Sequence, residues 1–345
     1  MRGARFLRGG GRQPLTLALK GALRAGGSQD GSSSPLLGAG REVVRRLLCA
    51  LFVTALAWGG AYPPREVRRC GGERKASVSA PLRRLVSLAP SVTETIFALG
   101  GGDRLVGVTR YCSYPPEARK IAKIGGYIDP SLEAILRLRP DLVVVTVENR
   151  EIVARLKGLG LKTLVVNQST LSGILESFVQ IGDALGEEER ARKIVSGIRK
   201  GIERIRRRTE GLPKPRVLLS MGRAMGADVN EVYAAREGTF FDEIIGIAGG
   251  VNVCRGDVVK VPVLSGEGLI RLNPEVILDL VPEGSGSDES RVLADWKAFS
   301  HLSAVRNRRV YALTGDYVVV PGPRLLNILE DVAKAVHPEV PWSRP

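Results

Sequence analysis

Two carboxylates occupy matched positions in a segment that the chain contains twice. Ser131 to Asp141 (SLEAILRLRPD) and Ser265 to Glu275 (SGEGLIRLNPE) align without a gap at a constant offset of 134 residues, and an apolar run follows each. The copies share Ser, Glu, Arg, Leu and Pro, which makes Glu133 and Glu267 equivalent. Two carboxylates converging on one site could do general acid–base work. Two carboxylates on separate, similar lobes would instead present a pair of negative points at a fixed separation. A period this long indicates two lobes rather than a solenoid, whose units run about 20–50 residues. In each copy the serine is placed as a helix N-cap and the glutamate falls in the first turn, where it favours the helix macrodipole.

Other constellations that carry chemistry are missing from the sequence. It has no GxxxxGK[ST] phosphate loop, no GxSxG nucleophile elbow and no HExxH zinc motif. Gly100, Gly101 and Gly102 read as a helix stop rather than a dinucleotide fingerprint. With only two histidines, His301 and His337, a His-rich zinc or manganese site is not expected. Acid–base chemistry would rest on carboxylates, and no cofactor is expected. Cys112, directly after Tyr111, and Cys254 are each read as a free or buried thiol, with metal ligation in a cleft as the alternative.

At 345 residues the chain exceeds what one hydrophobic core usually serves, so two domains are expected. The formal charge of +15 is unevenly spread: residues 1–61 hold nine Lys/Arg against two acids, leaving +8 for the rest. Those later basic residues fall mostly on helix faces without interleaved aromatics, which argues against nucleic acid as a partner. Arg45-Arg46, the apolar run Leu47 to Trp58 and the small residues up to Ala61 have the layout of a signal peptide. That run is shorter than the roughly 20 residues a transmembrane helix needs. Residues 1–42 upstream read as a disordered extension or an over-extended start, and 62–81 as a flexible mature N-terminus. No lipid-anchoring cysteine follows the apolar run, so a mature protein free in a periplasm is expected. Cleavage would leave Cys70, Cys112 and Cys254, an odd number that indicates no disulfide framework.

The elements that must hold the two glutamates follow from periodicity. Strand-like apolar runs occur at Leu85 to Leu88, Leu105 to Thr109, Leu142 to Thr146 and Thr163 to Val166. A second set occurs at Val217 to Ser220, Val276 to Leu280 and Val310 to Leu313, with helical patterns between, so both halves read as α/β units with mainly parallel strands. Ser91-Val92-Thr93-Glu94 has the form of a capping box. A weaker echo aligns Glu94 to Gly102 with Asp242 to Gly250. Ala191, Ile194, Val195, Ile198, Ile202 and Ile205 follow 3.6-residue spacing and predict one long helix between the halves, broken at Gly211 to Pro215. Gly197 and Gly201 weaken that helix by about 1 kcal/mol each relative to alanine, so packing must support it.

The stretches Arg84 to Glu94 (RLVSLAPSVTE), Gly107 to Thr109, Tyr114 to Ala118, Gly125-Gly126, Ser131 to Glu133 and Arg139 to Val143 resemble, in that order, periplasmic binding proteins for cobalamin, haem and ferric siderophores. The resemblance covers about residues 82–340. It implies two similar α/β lobes joined by one long rigid helix, with the ligand in the cleft between them. It also implies that Glu133 and Glu267, one per lobe, dock onto arginines of a membrane permease dimer driven by a cytoplasmic ATPase. Tyr111, Tyr127, Asp316 and Tyr317 match cleft positions of the cobalamin receptor, and tyrosines suit a flat macrocycle or ferric chelate. Thr146, Val261 and Val320 stand where that receptor has two tryptophans and an arginine. From the second lobe, Arg223 and Tyr233 are candidates to face an anionic or metal-chelate ligand.

The expectation is therefore a monomeric, non-enzymatic solute-binding component of an importer for a corrinoid, ferric siderophore or haem. Its parts would be a signal peptide at 43–61, an N-terminal lobe at 82–186, a bridging helix at 187–211 and a C-terminal lobe at 212–341. An exported enzyme that processes metal chelates, or a ligand-sensing domain, are the alternatives.

Overall fold

The computed structural model describes residues 82–223, 231–256, 263–281 and 289–342. The signal segment, Cys49, Cys70 and Val261 lie outside the described residues. In the first lobe, β1 (Leu85–Ser87), β2 (Leu105–Val108), β3 (Leu142–Thr146) and β4 (Thr163–Val166) form a parallel sheet in the order β2-β1-β3-β4. Helices α1 (Pro90–Ala98), α2 (Leu132–Arg137) and α3 (Glu151–Gly158) connect them. All five residues of β3 are buried, as expected of a parallel strand covered on both faces. Alternate residues enter opposite cores: Leu142 and Val144 on one face, Val143 and Val145 on the other.

Two antiparallel helices follow, α4 (Leu171–Leu185) and α5 (Glu188–Thr209). The second lobe contains β5 (Arg216–Arg223), β6 (Val232–Ala234), α6 (Phe240–Ile247), β7 (Val251–Asn252), β8 (Val263–Leu264), α7 (Gly266–Leu272) and β9 (Val276–Val281). It continues through α8 (Glu289–Trp296), α9 (Ser303–Arg306), β10 (Val310–Thr314) and α10 (Leu325–Val336). Its sheet runs β10-β9-β5-β6-β8, with β7 also paired to β5. The parallel set β7-β5-β9-β10 repeats the order of β2-β1-β3-β4. The antiparallel pair β6 and β8 is an addition to the second lobe. Neither strand, nor two-residue β7, has a run of apolar residues long enough to be read from sequence.

The long helix is present. Its 22 residues span about 33 Å. Glu188 and Glu189 open it and Arg206, Arg207 and Arg208 close it, each charge suited to the helix dipole. It does not bridge the lobes alone. Ile181 and Leu185 of α4 and Ala191 of α5 belong to the first lobe's core, whereas Ile174, Phe178, Ile198, Ile202 and Ile205 belong to the second lobe's. The helix α4, expected within the first lobe, is thus shared, and the strut is a helix pair. Gly201 is explained by packing, since a Cβ there would come within 2.6 Å of Leu326, whereas Gly197 faces open space.

The capping box is not formed. The helix α1 starts two residues earlier, with Ala89 rather than Ser91 at the N-cap and Pro90 in the first turn, and no side chain caps it. Ser91 Oγ donates instead to Gln168, and Glu94 turns away to a partner described below. The triple glycine does end this helix: Gly100, at φ +85°, bonds back to Phe97 O, and Gly101 to Ile96 O. In the second lobe Gly249, at φ +82°, bonds to Gly246 O, and Gly250 to Ile245 O. These bonds pair Gly100 with Gly249 and Glu94 with Glu243, one residue out from the register that letter matching gives. Side-chain identity favoured the wrong register because backbone hydrogen bonds, not residue names, end a helix.

Candidate functional site

The repeated segments fold into the same unit. Ser131 Oγ accepts the Ala134 N–H at 3.2 Å, and Ser265 Oγ accepts the Gly268 N–H at 3.2 Å, so both serines are N-caps. Ile135 and Leu269 bury one side of each short helix, and Glu133 and Glu267 stand exposed on the other. Past each helix the backbone turns through a non-glycine residue at positive φ, Arg139 at 45° and Asn273 at 39°, before a proline. An acid then receives the backbone N–H that leads into the lobe's first strand: Arg84 to Asp141, Arg216 to Glu275. The same two arginines reach back with Nη2 to the end of the helix, at Leu138 O (2.7 Å) and Leu272 O (2.6 Å). The two glutamates differ in their pairing. Glu133 is paired with Arg137 at 2.6 Å, while no ion pair holds Glu267 among the described residues.

Between the lobes lies a cluster centred on Arg324, just ahead of α10. Its guanidinium donates to Glu94 of the first lobe through Nη2 (2.6 Å) and Nε (2.9 Å), and through Nη1 to Asp316 of the second. Tyr114 of the first lobe stacks on it, 3.8 Å from guanidinium carbon to ring centre, and Tyr317 lies 5.6 Å away on the second. Gly322 packs against Ser91, 3.5 Å separating its Cβ position from the Ser91 backbone. Burial pushes the Glu94 carboxyl up, and the bonds from Arg324 pull it back. With two carboxylates around one guanidinium, this group of three carries a net negative charge.

Of the tyrosines read from the sequence, Tyr317 joins this cluster. Its hydroxyl donates to Asp331 at 2.7 Å, and that bond, with burial, pushes the phenol up to about 12. Asp316 joins it through Arg324. Tyr111 and Tyr114 are exposed on the loop after β2, with Arg110 placed 5.8 Å from the Tyr111 ring. Tyr127 is half-buried, its hydroxyl 2.9 Å from Thr146 Oγ1, and burial raises its pKa well above the usual phenol range. Thr146 therefore holds a tyrosine. Tyr233 is half-buried and packs against the same core cluster as Tyr317.

Arg223 corrects an expectation. Its side chain is fully buried, and its guanidinium donates to Asp279 at 2.6 Å and Asp295 at 2.8 Å, with the Trp296 indole also donating to Asp279. A guanidinium so committed is not offered to a cleft ligand. Sequence reading missed Glu94, Tyr114 and Arg324. Asp316 and Arg324 flank a Gly-Pro turn as opposite charges, a weak local signal. Nothing local marks Glu94, whose partner is 230 residues away.

Cys112 and Cys254 are both free and buried. Burial raises both thiols, Cys254 to about 12, and Cys112 lies among the Thr93 and Thr109 hydroxyls rather than at a surface. Among the described residues no three His, Cys, Asp or Glu side chains gather as a metal-binding group. The site offers stacking faces, hydroxyls and one shielded guanidinium, which are means of binding.

Residues 85–317 match the periplasmic binding protein family. The chain is 28% identical over 265 residues to an uncharacterized ABC transporter substrate-binding lipoprotein, YvrC, of Bacillus subtilis, covering 74% of this chain and 81% of that protein. It is 28% identical over 259 residues to the vitamin B12-binding protein of Vibrio cholerae, covering 73% and 88%. The crystal structure of the Vibrio cholerae periplasmic vitamin B12-binding protein superposes with a TM-score of 0.64 at 26% identity, over 74% of this chain and 97% of that one. The periplasmic haem-binding protein RhuT of Roseiflexus sp. RS-1 does so with a TM-score of 0.63 at 30% identity, over 74% and 98%. These relatives are binding proteins rather than enzymes. The name lipoprotein borne by one of them fits poorly with the expectation of no lipid anchor. Two lobes of matching topology, a shared helix pair and the family match over both lobes agree: the chain belongs to the periplasmic binding protein family.

Proposed function

We propose that this chain is the solute-binding component of an ATP-driven importer, taking a flat, metal-bearing macrocycle or ferric chelate between its lobes and passing it to a membrane permease. The observation that carries the reading is the matched pair of capped, exposed glutamates, Glu133 and Glu267, set on the same structural unit of each lobe. Exposed ion pairs contribute only about 0–1 kcal/mol each. One per lobe therefore fixes orientation and encounter rate more than affinity, which suits a carrier that must also let go. Tyr111, Tyr114, Tyr127 and Tyr317 supply the aromatic and hydroxyl surface for the solute. The relatives named for vitamin B12 and haem support this class of ligand. The reading includes export by segment 43–61 and action as a monomer.

Two measurements test it. Titration of the mature protein with cobalamin, haem and ferric siderophores, followed by absorbance and calorimetry, should show saturable binding of one class. The double reversal E133K/E267K should abolish uptake and leave that binding unchanged. Normal uptake by the double variant would rule out docking through these residues.

A further inference from the structure

The helices α2 and α7 expose more than their glutamates. Leu136 is 38% exposed and Ile270 is 50% exposed, and the two are equivalent at the 134-residue offset. Each lies three residues after its glutamate and one before an exposed arginine, Arg137 or Arg271, so all three side chains share one helix face. The opposite face is closed by Ile135 or Leu269, fully buried in the lobe's core. A single exposed leucine carries no message, since soluble proteins show many. Here the same polar-flanked apolar residue stands out of both lobes, on units that match down to their caps and turns. The first of the two patches also borders a depression of about 310 Å³ lined by Ile124, Glu133, Arg137 and Leu138, with room for a protruding side chain.

We infer that Leu136 and Ile270 are the apolar anchors of the contact with the permease pair, one anchor for each subunit. The inference rests on the docking reading above and assigns affinity within it. A patch repeated on two lobes is complementary to a surface repeated on two subunits. Rim charges govern how fast such surfaces meet, and desolvated apolar centres govern how long they stay. Losing one buried Leu or Ile weakens a contact about tenfold or more. Losing one exposed ion pair weakens it about fivefold at most.

The test uses the mature protein and the importer's permease–ATPase complex in lipid nanodiscs, with empty nanodiscs as control. Binding is followed by surface plasmon resonance at several salt concentrations. L136Q/I270Q should raise the dissociation rate about a hundredfold, the product of two such losses, and leave the salt dependence of association intact. Each single variant should account for a similar share of that loss. E133Q/E267Q should slow association and flatten its salt dependence. L159Q/V179Q, which alters exposed apolar residues elsewhere, should behave as the parent. Parent-like dissociation of L136Q/I270Q beside slowed association of E133Q/E267Q would overturn the anchors and leave docking standing. A loss confined to one single variant would overturn the pairing of the anchors. Failure of the parent itself to bind the complex would overturn the docking reading and the inference together. Thermal melts and ligand titration of each variant exclude misfolding as the cause.

Discussion

Glu94 and Arg324 lie 230 residues apart and are joined by two hydrogen bonds of 2.6 and 2.9 Å. The glutamate comes from the first helix of one lobe and the arginine from the start of the last helix of the other. With the helix pair α4 and α5, this bond fixes how the lobes face each other, and Tyr114 stacks on it where the two meet.

Removing the arginine strands a buried carboxylate. R324Q should lower stability by about 3 kcal/mol, the lower end for a broken buried pair because the Arg324 side chain remains 14% exposed. E94Q/R324Q should recover part of that loss, since neither charge is then left alone. Urea unfolding of the three proteins checks both, and equal stability of R324Q and the parent would deny the bond its role.

The two glycines of α5 should respond differently to alanine. G197A meets open space and should gain up to about 1 kcal/mol from helix propensity. G201A drives a methyl to within 2.6 Å of the Leu326 side chain, which must turn aside, so the propensity gain is reduced or cancelled. Thermal denaturation of the single variants reads the difference directly.

Asp141 gives the fold a pH dependence. The backbone N–H groups of Arg83 and Arg84, each at 2.8 Å, hold its carboxyl below the usual carboxylate range. A depressed carboxyl contributes stability that is present above its unfolded value, about 3.9, and is lost as pH falls through the folded one. D141N should therefore cost up to about 1 kcal/mol at pH 7, no more because the group is solvated. The gap to the parent should close in acid, as followed by urea midpoints between pH 7 and pH 3.

The two buried thiols should be silent in the native protein. Thiolate is the reactive form, and Cys254, pushed up to about 12, holds almost none at pH 8. Cys112 is raised by burial as well. In a mature chain carrying C70S, Ellman's reagent should find no reactive thiol until urea is added, and then two. Rapid labelling of native protein would place one of them at the surface.

The sequence by itself determined what depends on neighbours in the chain. Apolar runs such as Leu142–Thr146 and Thr163–Val166 came out at their observed ends, the first because a strand buried on both faces is written continuously, the second, an edge strand with Val165 exposed, because β-branched residues run through it. The spacing from Ala191 to Ile205 specified the long helix, and Ser131 and Ser265 specified two helix starts, each through contacts within a few residues. The tertiary structure decided the rest. It turned Glu94 from a cap to Arg324, closed Arg223 between Asp279 and Asp295, and drew α4 into both lobes. Those outcomes depend on which distant side chain lies close enough to neutralise a buried charge or fill an apolar face. Chain-local pattern holds no record of that distance.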